Sequence, residues 1–493
     1  MTMPPSLALR LDVRRDVPPS PEGAYVVYWM FAARRTRHNF ALQRAIAWAR
    51  RLGKPLVVVE SLRPDYPWAS DRFHRFMLQG MRDQAARFAT TPIRYVPLVE
   101  PRPGAYRGWQ ADLARQACVW VTDDSPAFII PDWLALGMQD TACRFEAVDS
   151  CGILPVRAAE TVFSTAHAFR RHLHRHLIEH LAHLGVPDPL ADVTDLPPWP
   201  SGGMDFFLAR WPEASPALLD LEPSAFAALG VPVLPGRGLV EGGERAGLAR
   251  VDHFLAHKLG RYAEDRNEPA LDAGSGLSPY FHFGQVAPHE LVRRILETSA
   301  WSPASVDPRA GGKRDGWWGL PAPAESFLDE LVTWREVGFN AARWLPGYDR
   351  YETLPAWSRE TLDLHRADPR PHLYDLEAFR EARTHDPLWN AAQRQLVREG
   401  RIHNYLRMLW GKKILEWSAT PEEALATMIE LNNGYALDGR DPASISGIFW
   451  CLGRYDRPWG PVRPVFGTVR YMTSDSTAKK FNVKPYLVQY ATF

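Results

Sequence analysis

A cation and two indole rings share one face of a predicted helix near residue 410. Over residues 402–417, intervals of four, three, four and three separate His403, Arg407, Trp410, Ile414 and Trp417. This spacing places them on one stripe of an α-helix. A tryptophan stripe is typical of core packing, whereas a guanidinium on a buried face needs an anionic partner. Arg407 therefore favours a ligand-binding face, and both interpretations stay open here.

A loop further along the chain offers the anionic partner. It reads Asp438-Gly439-Arg440-Asp441-Pro442 and follows a predicted helical run. Carboxylates on this loop can pair with Arg407 and still accept hydrogen bonds from the ring nitrogens of a ligand. An ordinary Asp-rich turn has the same composition.

The second half of the chain is rich in tryptophan. Of the 19 tryptophans, 11 lie at or beyond Trp301. Trp410 and Trp417 lie two helical turns apart, about 10.5 Å along the axis. That distance leaves space for a third ring between them. Trp389, at the start of the preceding predicted helix, is the candidate.

Small residues precede another predicted helix. Residues 274–279 read GSGLSP and lead into a helical stretch over residues 280–296. Small residues at this place expose backbone N–H groups and let a phosphate approach closely, and serine hydroxyls add donors. Tyr262 and Arg266 add polar groups upstream. The segment is therefore a candidate phosphate site, although many such turns have no ligand.

The first part of the chain alternates between strand-like and helix-like stretches. Short apolar runs occupy residues 25–30, 55–60, 93–98, 118–123 and 144–148, and amphipathic stretches such as 39–51 and 71–88 separate them. This alternation predicts parallel strands with helices on both faces. Residues 24–150 are therefore predicted to form a doubly wound, Rossmann-like α/β domain.

The rest of the chain divides into a connector and a helical region. Proline and glycine are frequent between residues 187 and 203, as is typical of an extended connector. Beyond about residue 241, nearly every segment has the 3.6-residue periodicity of helices. We predict a connector over residues 151–240 and an all-helical domain over residues 241–493.

Composition excludes several classes of protein. The chain has 493 residues, of which 46% are hydrophobic and 23% are charged, so it is neither disordered nor a small stapled scaffold. The four cysteines form no CxxC pair, so neither a zinc site nor an iron–sulfur cluster is predicted, and a cytoplasmic setting is expected. Residues 1–21 lack the apolar stretch of a secretory signal. No segment approaches the ~18 apolar residues of a membrane span, so no membrane partner is expected, and no obligate protein partner is indicated.

Charge is balanced over the chain but not locally. Lys and Arg number 58 against 57 for Asp and Glu, so the whole chain has no field that would attract nucleic acid. Residues 390–417 nevertheless contain six Lys or Arg against two acids, and residues 454–484 contain seven against two. These stretches can hold DNA phosphates, although a solvated helix face has the same composition.

A group of histidines raises the question of a metal site. Some members of this group are spaced at i, i+4, with which a helix can bind a metal ion. The group consists of His172, His174, His176, His180 and His183. Arginines are interleaved with them, so we predict an exposed basic helix and no metal site.

The order of five motifs resembles the DNA photolyase and cryptochrome family, and most closely the class II cyclobutane pyrimidine dimer photolyases. These motifs are collinear over some 200 residues. In chain order they are GSGLSPYFHFG at 274–284, WNAAQ at 389–393, LRMLWGKKILEW at 406–417, DGRDP at 438–442 and RPVFGTVRYM at 463–472.

The resemblance implies a helical domain that holds FAD and an N-terminal domain of the antenna type, whose chromophore the sequence leaves open. Asn432 is similar to the residue beside the reactive flavin nitrogen, and Arg407 with Asp438 to the ion pair next to the flavin ring. Trp410, Trp389 and Trp417 resemble an electron-transfer chain, in that order outward from the flavin. The residues implied to bind FAD are Tyr262, Gly274, Ser275, Gly276, Leu277, Ser278, Arg407, Asn432 and Asp438.

The resemblance further implies a carbon–carbon lyase for UV-damaged DNA. Excited, reduced FAD would donate an electron to a flipped-out pyrimidine dimer, with Glu336, Asn432, Arg407 and Asp438 as catalytic residues. The residues implied to contact the dimer or DNA are Arg266, Glu336, Asn404, Trp450 and Trp459. The alternative is a cryptochrome-like blue-light photoreceptor that binds FAD without repairing DNA, and cyclobutane and (6-4) lesions both stay open.

Overall fold

The first part of the chain forms a six-stranded sheet with the order β1-β6-β5-β2-β3-β4. The computed structural model describes residues 5–236 and 240–493. Strands β2 to β6 pair in parallel, and β1 pairs antiparallel with β6 at one edge. The strands are β1 (Leu11–Arg15), β2 (Tyr25–Met30), β3 (Leu56–Leu62), β4 (Arg94–Val99), β5 (Ala117–Asp124) and β6 (Arg144–Asp149).

The parallel part of the sheet confirms the predicted doubly wound α/β fold. Every residue of β2, β3 and β5 is buried, which explains their continuous apolar sequences. The helices of this part are α1 (Pro5–Ala8), α2 (Phe40–Leu52), α3 (Asp71–Phe88), α4 (Trp109–Ala114) and α5 (Ile130–Gln139). The sequence analysis missed β1, because this half-exposed edge strand carries three charged residues among its five.

Residues between the two parts of the chain form more helix than the predicted connector suggests. The helices there are α6 (Ala166–Leu181), α7 (Asp205–Arg210), α8 (Pro216–Leu219) and α9 (Pro223–Ala227), besides a 3-10 turn at Val156–Ala158. Residues 237–239 of this stretch, like residues 1–4, lie outside the described residues.

The prediction that α6 is an exposed basic helix is wrong on one face. Arg170 is buried and pairs through two hydrogen bonds with Asp329. His174 is also buried, and its ring stacks on Trp317 with a centroid distance of 4.1 Å. The sequence pattern does not predict the burial of this face, because the partners of Arg170 and His174 lie in the helical part of the chain, far away in sequence.

The second part of the chain is helical, as predicted. Its α-helices are α10 (Glu244–His257), α11 (Tyr262–Asp265), α12 (Ser278–His282), α13 (Pro288–Thr298), α14 (Ala322–Leu328), α15 (Arg335–Trp344), α16 (Ala356–Leu364), α17 (Leu376–Arg380), α18 (Pro387–Glu399), α19 (Asn404–Trp417), α20 (Pro421–Tyr435), α21 (Pro442–Cys451), α22 (Ser474–Lys480) and α23 (Lys484–Gln489). A π-helical segment over Asp329–Trp334 joins α14 to α15, and 3-10 turns lie at Leu259–Arg261, Pro303–Ser305, Pro308–Ala310 and Tyr351–Thr353.

Helix α3 of the sheet-forming part packs against the helical part of the chain. Phe76 packs on Tyr280 and Phe283, with ring-centroid distances of 5.1 and 5.2 Å. Arg72, which is buried, donates to the carbonyls of Val397 and Tyr435. These carbonyls lie in the last turns of α18 and α20, where backbone acceptors lack a partner within the helix. The sheet-forming half therefore fixes two helix ends of the other half.

No helix in the described ranges combines the length and the apolar character needed to cross a membrane.

Candidate functional site

Arg407 and Asp438 form the ion pair that the sequence predicted. The guanidinium of Arg407, on α19, donates to both carboxylate oxygens of Asp438 at 3.2 and 2.6 Å. Burial alone would raise the pKa of Asp438, but Arg407 and the hydroxyl of Ser278 hold it below its usual range. Asp438 is therefore ionised at neutral pH and connects α19 to the start of α12.

The small-residue segment at 274–278 borders a cleft of about 770 Å³. Gly276 has φ of +68°, a conformation that favours glycine, and a side chain added at Gly274 would meet open space. Ser278 also lines the cleft, together with Arg250 and Arg401. The acids Glu241 and Glu399 line the cleft as well, and Glu399 pairs with Arg401. Gly276, the Ser278 hydroxyl and Arg250 form the part of the lining that suits a ligand with phosphate groups.

Within the described part of the chain, one donor of the Arg407 guanidinium is unused. The Nε atom of Arg407 is buried and has no hydrogen-bond partner among the residues that the structure describes. Buried polar atoms are normally paired, so this atom indicates a ligand with an acceptor. The partly buried ion pair, the orphan donor and the cleft, which Ser278 links to Asp438, together fit FAD, whose ring system has acceptors and whose diphosphate is anionic.

Asn432 and Tyr262 lie on different elements of the helical part of the chain. Asn432 is buried on α20, where its amide exchanges hydrogen bonds with the Ser444 hydroxyl at 2.9 and 3.3 Å. Tyr262 begins α11 and packs edge-on against Phe327, with a centroid distance of 5.3 Å. Leu277, the remaining member of the predicted set, is buried. Each of these side chains is held in place by neighbouring protein groups.

Arg266 contacts both Tyr262 and Glu330, an acid that is not among the residues predicted for the site. Its guanidinium lies 5.6 Å from the Tyr262 ring centroid and 2.6 Å from a carboxylate oxygen of Glu330. The Glu330 side chain is 27% exposed and lies on the π-helical segment. Single-turn π-helices are frequent at functional sites. The sequence pattern gave no signal for Glu330, because the partial burial of Arg266 that requires an acid is visible only in the structure.

The structure places the Glu336 carboxylate against a loop of the sheet-forming half of the chain. Its carboxylate is buried and accepts hydrogen bonds from the backbone N–H groups of Ile153 and Leu154 at 2.6 and 3.1 Å. These residues belong to the loop after β6, so Glu336 faces the sheet-forming half of the chain. Both oxygens are occupied there, and this geometry argues against the predicted contact with a dimer. The contact of Glu336 with a dimer stays a prediction, and a single sequence does not tell which acid of this helical segment faces a ligand.

The position of Glu336 predicts a pH-dependent stability. Burial raises the pKa of this carboxyl from 4.5 to about 7, in spite of Arg335 and the two N–H donors. Because the pKa is higher in the folded than in the unfolded protein, the ionised Glu336 carboxylate lowers the free energy of unfolding. This destabilisation is full above pH 7 and disappears as the pH falls towards 4.5. We expect Glu336→Gln to gain up to about 3 kcal/mol relative to wild type between pH 5 and pH 8. Urea denaturation of both proteins at the two pH values measures this, and a difference independent of pH would contradict it.

The three tryptophans of the predicted chain are buried and close together. Trp389 donates its indole N–H to the carbonyl of Trp410 at 3.1 Å, and its ring centroid lies 6.0 Å from that of Trp417. The Trp410 indole N–H donates to Gln393 at 2.9 Å. Trp389 therefore contacts both other tryptophans. Trp417 is itself buried, and Tyr374, which is half-buried, packs on it with a centroid distance of 5.8 Å.

Trp450 and Trp459 lie on either side of a guanidinium. The Arg470 Cζ atom is 5.8 Å from the Trp450 ring centroid and 3.8 Å from that of Trp459. Both indoles are half-buried, and the Trp459 N–H donates to Asp456 at 3.1 Å. Two partly accessible indoles beside a cation suit the stacking of unpaired bases.

The predicted basic stretch at 390–417 does not form a free cationic face. Arg407 is paired with Asp438, Lys412 is fully buried, Lys413 is paired with Glu416, and Arg401 contacts two acids. In the second stretch Arg454 is buried, whereas Arg457 is exposed. Asn404, the first residue of α19, is exposed. The accessible positive charge therefore lies after α21 and on α18, where the partly exposed Arg394 and Arg398 donate to backbone carbonyls near the end of the chain, and not along α19.

The described residues contain no group of three or more His, Cys, Asp or Glu arranged to hold a metal ion.

Curated relatives match the chain over nearly its whole length. A protein from Methanothermobacter thermautotrophicus named deoxyribodipyrimidine photo-lyase is 34% identical over 473 residues, which cover 95% of this chain and 95% of the relative. Proteins of the same name from Arabidopsis thaliana and Potorous tridactylus are 33% and 32% identical, over 94% and 93% of this chain and 88% and 79% of those relatives. No protein-family model matches the chain.

Two solved structures have the same fold at low sequence identity. A bacterial class III photolyase from Agrobacterium tumefaciens has a TM-score of 0.69 at 17% identity, over 97% of this chain and 88% of that one. The cryptochrome of Synechocystis sp. PCC6803 has a TM-score of 0.64 at 15% identity, over 97% and 89% of the two chains. They support the architecture described above.

The chain belongs to the DNA photolyase and cryptochrome family. Proteins of this family bind FAD. Within the family, its enzyme class is that of the deoxyribodipyrimidine photo-lyases.

Proposed function

We propose that this protein repairs cyclobutane pyrimidine dimers in DNA in a light-dependent reaction, with FAD bound in the cleft beside Arg407. The chemistry that bound reduced FAD supplies is one electron, lent to the dimer in the light and returned after the ring has opened. Every other task falls to the side chains of the chain. This proposal extends the family membership to a particular lesion and a particular set of residues.

The observation that carries the proposal is the arrangement along α19. This single helix holds Arg407, which pairs with Asp438 and has a spare buried donor. Three residues further on it holds Trp410, which begins the buried tryptophan cluster. A cofactor placed against Arg407 would therefore lie beside a row of oxidisable rings. Neither simple core packing nor DNA binding alone requires both features on one helix.

The cofactor would be held at both of its ends. Tyr262, Ser275 and Ser278, with the backbone of the 274–278 segment, suit the diphosphate, while Arg407, Asp438 and Asn432 suit the ring system. Asp438 keeps its negative charge at neutral pH, so it balances Arg407 and leaves the Nε donor for the ligand.

The dimer would enter from the side of Arg266. We propose Glu330, in place of Glu336, as the acid that accepts a hydrogen bond from a pyrimidine N–H, because it is partly exposed and paired with Arg266. Trp450 and Trp459 would stack on the flipped-out bases, an interaction worth roughly 1–3 kcal/mol per base. Flipping costs a few kcal/mol and least at a damaged, poorly stacked pair, so the lesion itself favours binding.

The experiment that tests the function uses purified, chemically reduced protein and an oligonucleotide with one thymine dimer. The absorption spectrum of the same sample reports the bound flavin. We expect a flavin spectrum, and repair in the light but not in the dark. A flavin spectrum without repair of this lesion would contradict the proposal and favour a photoreceptor, and a colourless protein would contradict the cofactor site.

Glu330→Gln separates the two candidate acids. We expect this variant to keep its flavin and to lose repair yield about tenfold, because a hydrogen bond to a charged group contributes about 1.5–3 kcal/mol. Repair per absorbed photon and dimer binding by the reduced enzyme are the measurements.

Glu264→Gln is the matched control, since this exposed acid lies on α11 two residues before Arg266. We expect it to repair like the wild type. Unchanged repair in Glu330→Gln together with a loss in Glu336→Gln would show that Glu336, and not Glu330, is the acid that contacts the dimer.

A further inference from the structure

Lys412 is a buried ammonium group next to a proposed wall of the dimer pocket. Its exposed fraction is 0%, and it lies on α19, two residues after Trp410. Its Nζ donates to the carbonyl of Cys451 at 2.7 Å and lies 4.7 Å from the centroid of the Trp450 ring. The cation therefore contacts the backbone and the indole of two neighbouring residues of α21.

No acid forms a salt bridge with Lys412 among the described residues, although the charge of Asp456 acts on it from a greater distance. Within residues 5–236 and 240–493 no salt bridge of 4.0 Å or less involves its Nζ, whereas the adjacent Lys413 pairs with Glu416 at 2.6 Å. Burial lowers the pKa of Lys412 to about 8. An unpaired buried cation is costly, and groups of this kind cluster at functional sites. Stability alone therefore does not account for a lysine at this position.

A second cation approaches the same indole. The guanidinium of Arg470 lies 5.8 Å from the Trp450 ring centroid, so that ring has two cations within 6 Å. Positive charges near an indole are attracted to its π electrons. A base stacked on the accessible part of Trp450 would lie near both cations. Arg470 also pairs with Asp456 at 3.4 Å, so the buried Lys412 is the cation of the two that has no salt bridge among the described residues.

We propose that Lys412 is a positioning residue that fixes Trp450 and, together with Arg470, stabilises the negative charge of the dimer while it holds the borrowed electron. This inference rests on the proposed function, because it requires a dimer against Trp450. One electron enters the dimer and one leaves it. The Nζ protons stay on Lys412, whose hydrogen bond goes to a backbone carbonyl, so no proton transfer accompanies the step.

The surroundings of Lys412 make its charge dependent on pH. The groups that face it are Cys451 of α21 and Asp456 and Arg470 of the segment after α21, and Arg407 of α19 lies near the Cys451 thiol. Burial raises the pKa of that thiol to about 11, so Cys451 stays neutral where Lys412 titrates. Lys412 is charged below about pH 8 and loses its charge above, so its effect is present at pH 7 and absent at pH 9.

The test measures repair per photon at saturating dimer DNA, and dimer binding, from pH 6.5 to pH 9 with chemically reduced enzyme. We expect the wild-type yield to fall as the pH rises through about 8. Lys412→Met should be low at every pH, about tenfold below wild type at pH 7, as expected for a desolvated cation–π contact. Lys412→Arg should keep its yield at pH 9, because arginine stays charged.

Lys413→Met is the matched control on the next residue of the helix. Its Nζ lies 5.2 Å from the Trp417 ring, so its removal should leave repair by pre-reduced enzyme unchanged. A wild-type yield in Lys412→Met, an equal loss in Lys413→Met, or a wild-type yield that is flat from pH 6.5 to 9 would each overturn the inference. The wild-type profile decides even where the Met variant fails to fold. A wild type that repairs no dimers overturns the proposed function instead, and the two failures are thereby distinguished.

Discussion

Trp410→Phe is expected to abolish most of the photoreduction of bound, oxidised FAD while leaving repair by chemically reduced enzyme nearly intact. Phenylalanine is far harder to oxidise than tryptophan, so the first step of the proposed chain is lost. Trp389 and Trp417 remain in the buried cluster as later electron donors, but in the proposed order of electron transfer they lie farther from the flavin than Trp410. We expect the rate to fall by at least an order of magnitude, equivalent to about 1.4 kcal/mol in the barrier. Absorbance during illumination with an external reductant measures it.

Trp120→Phe is the control for the loss of a buried indole. Trp120 is fully buried in β5, and its N–H has no hydrogen-bond partner within the described part of the chain. The substitution therefore imposes a comparable cavity far from α19. We expect normal photoreduction in this variant. An equal rate in Trp410→Phe and wild type would remove Trp410 from the electron-transfer chain.

Asp438→Ala is expected to release the flavin. The substitution leaves the partly buried guanidinium of Arg407 without its acid, and the loss lies between the about 0–1 kcal/mol of an exposed pair and the about 3–5 kcal/mol of a fully buried one. Ser278 also loses the carboxylate that it contacts. The cleft then loses both its geometry and the partner that keeps Arg407 in place. The ratio of flavin to protein absorbance after gel filtration, with added FAD titrated back, measures the effect.

Asp272→Ala is the comparison for a surface ion pair near the same cleft. Asp272 pairs with Lys258 and Arg401 at 3.0 Å each, but its side chain is 60% exposed. Exposed pairs contribute about 0–1 kcal/mol, so we expect this variant to keep its flavin. Full flavin content in Asp438→Ala would show that the buried pair does not hold the cofactor.

Local sequence patterns predicted much of the fold because the responsible forces act locally. The apolar runs of β2, β3 and β5 reflect burial on both faces, and α3 covers the stretch predicted from its periodicity. The stripe on α19 predicted that Arg407 and Trp410 share one region. The rule that a buried cation needs an acid indicated a carboxylate of the 438–442 loop, and the resemblance to the family singled out Asp438. These inferences needed no knowledge of distant packing.

Features that depend on tertiary contacts were missed. The contact of Glu336 with the loop after β6 joins residues more than 180 positions apart, and nothing near Glu336 in sequence announces it. The burial of Lys412 is similar, because its surroundings come from α21 and the segment beyond. The roles of Glu330 and Lys412 became arguable only after the structure had placed their partners.

The anchoring of two helix ends by Arg72 has a consequence for biosynthesis. During translation the sheet-forming half leaves the ribosome first, with Phe73 and Phe76 on α3 exposed until Tyr280 and Phe283 arrive some 200 residues later. The boundary near residue 240 is therefore not a boundary between independent folding units. A truncated first half would expose the apolar face of α3 to solvent. The nascent chain is expected to depend on chaperones until α18 and α20 have been made and their ends bind Arg72.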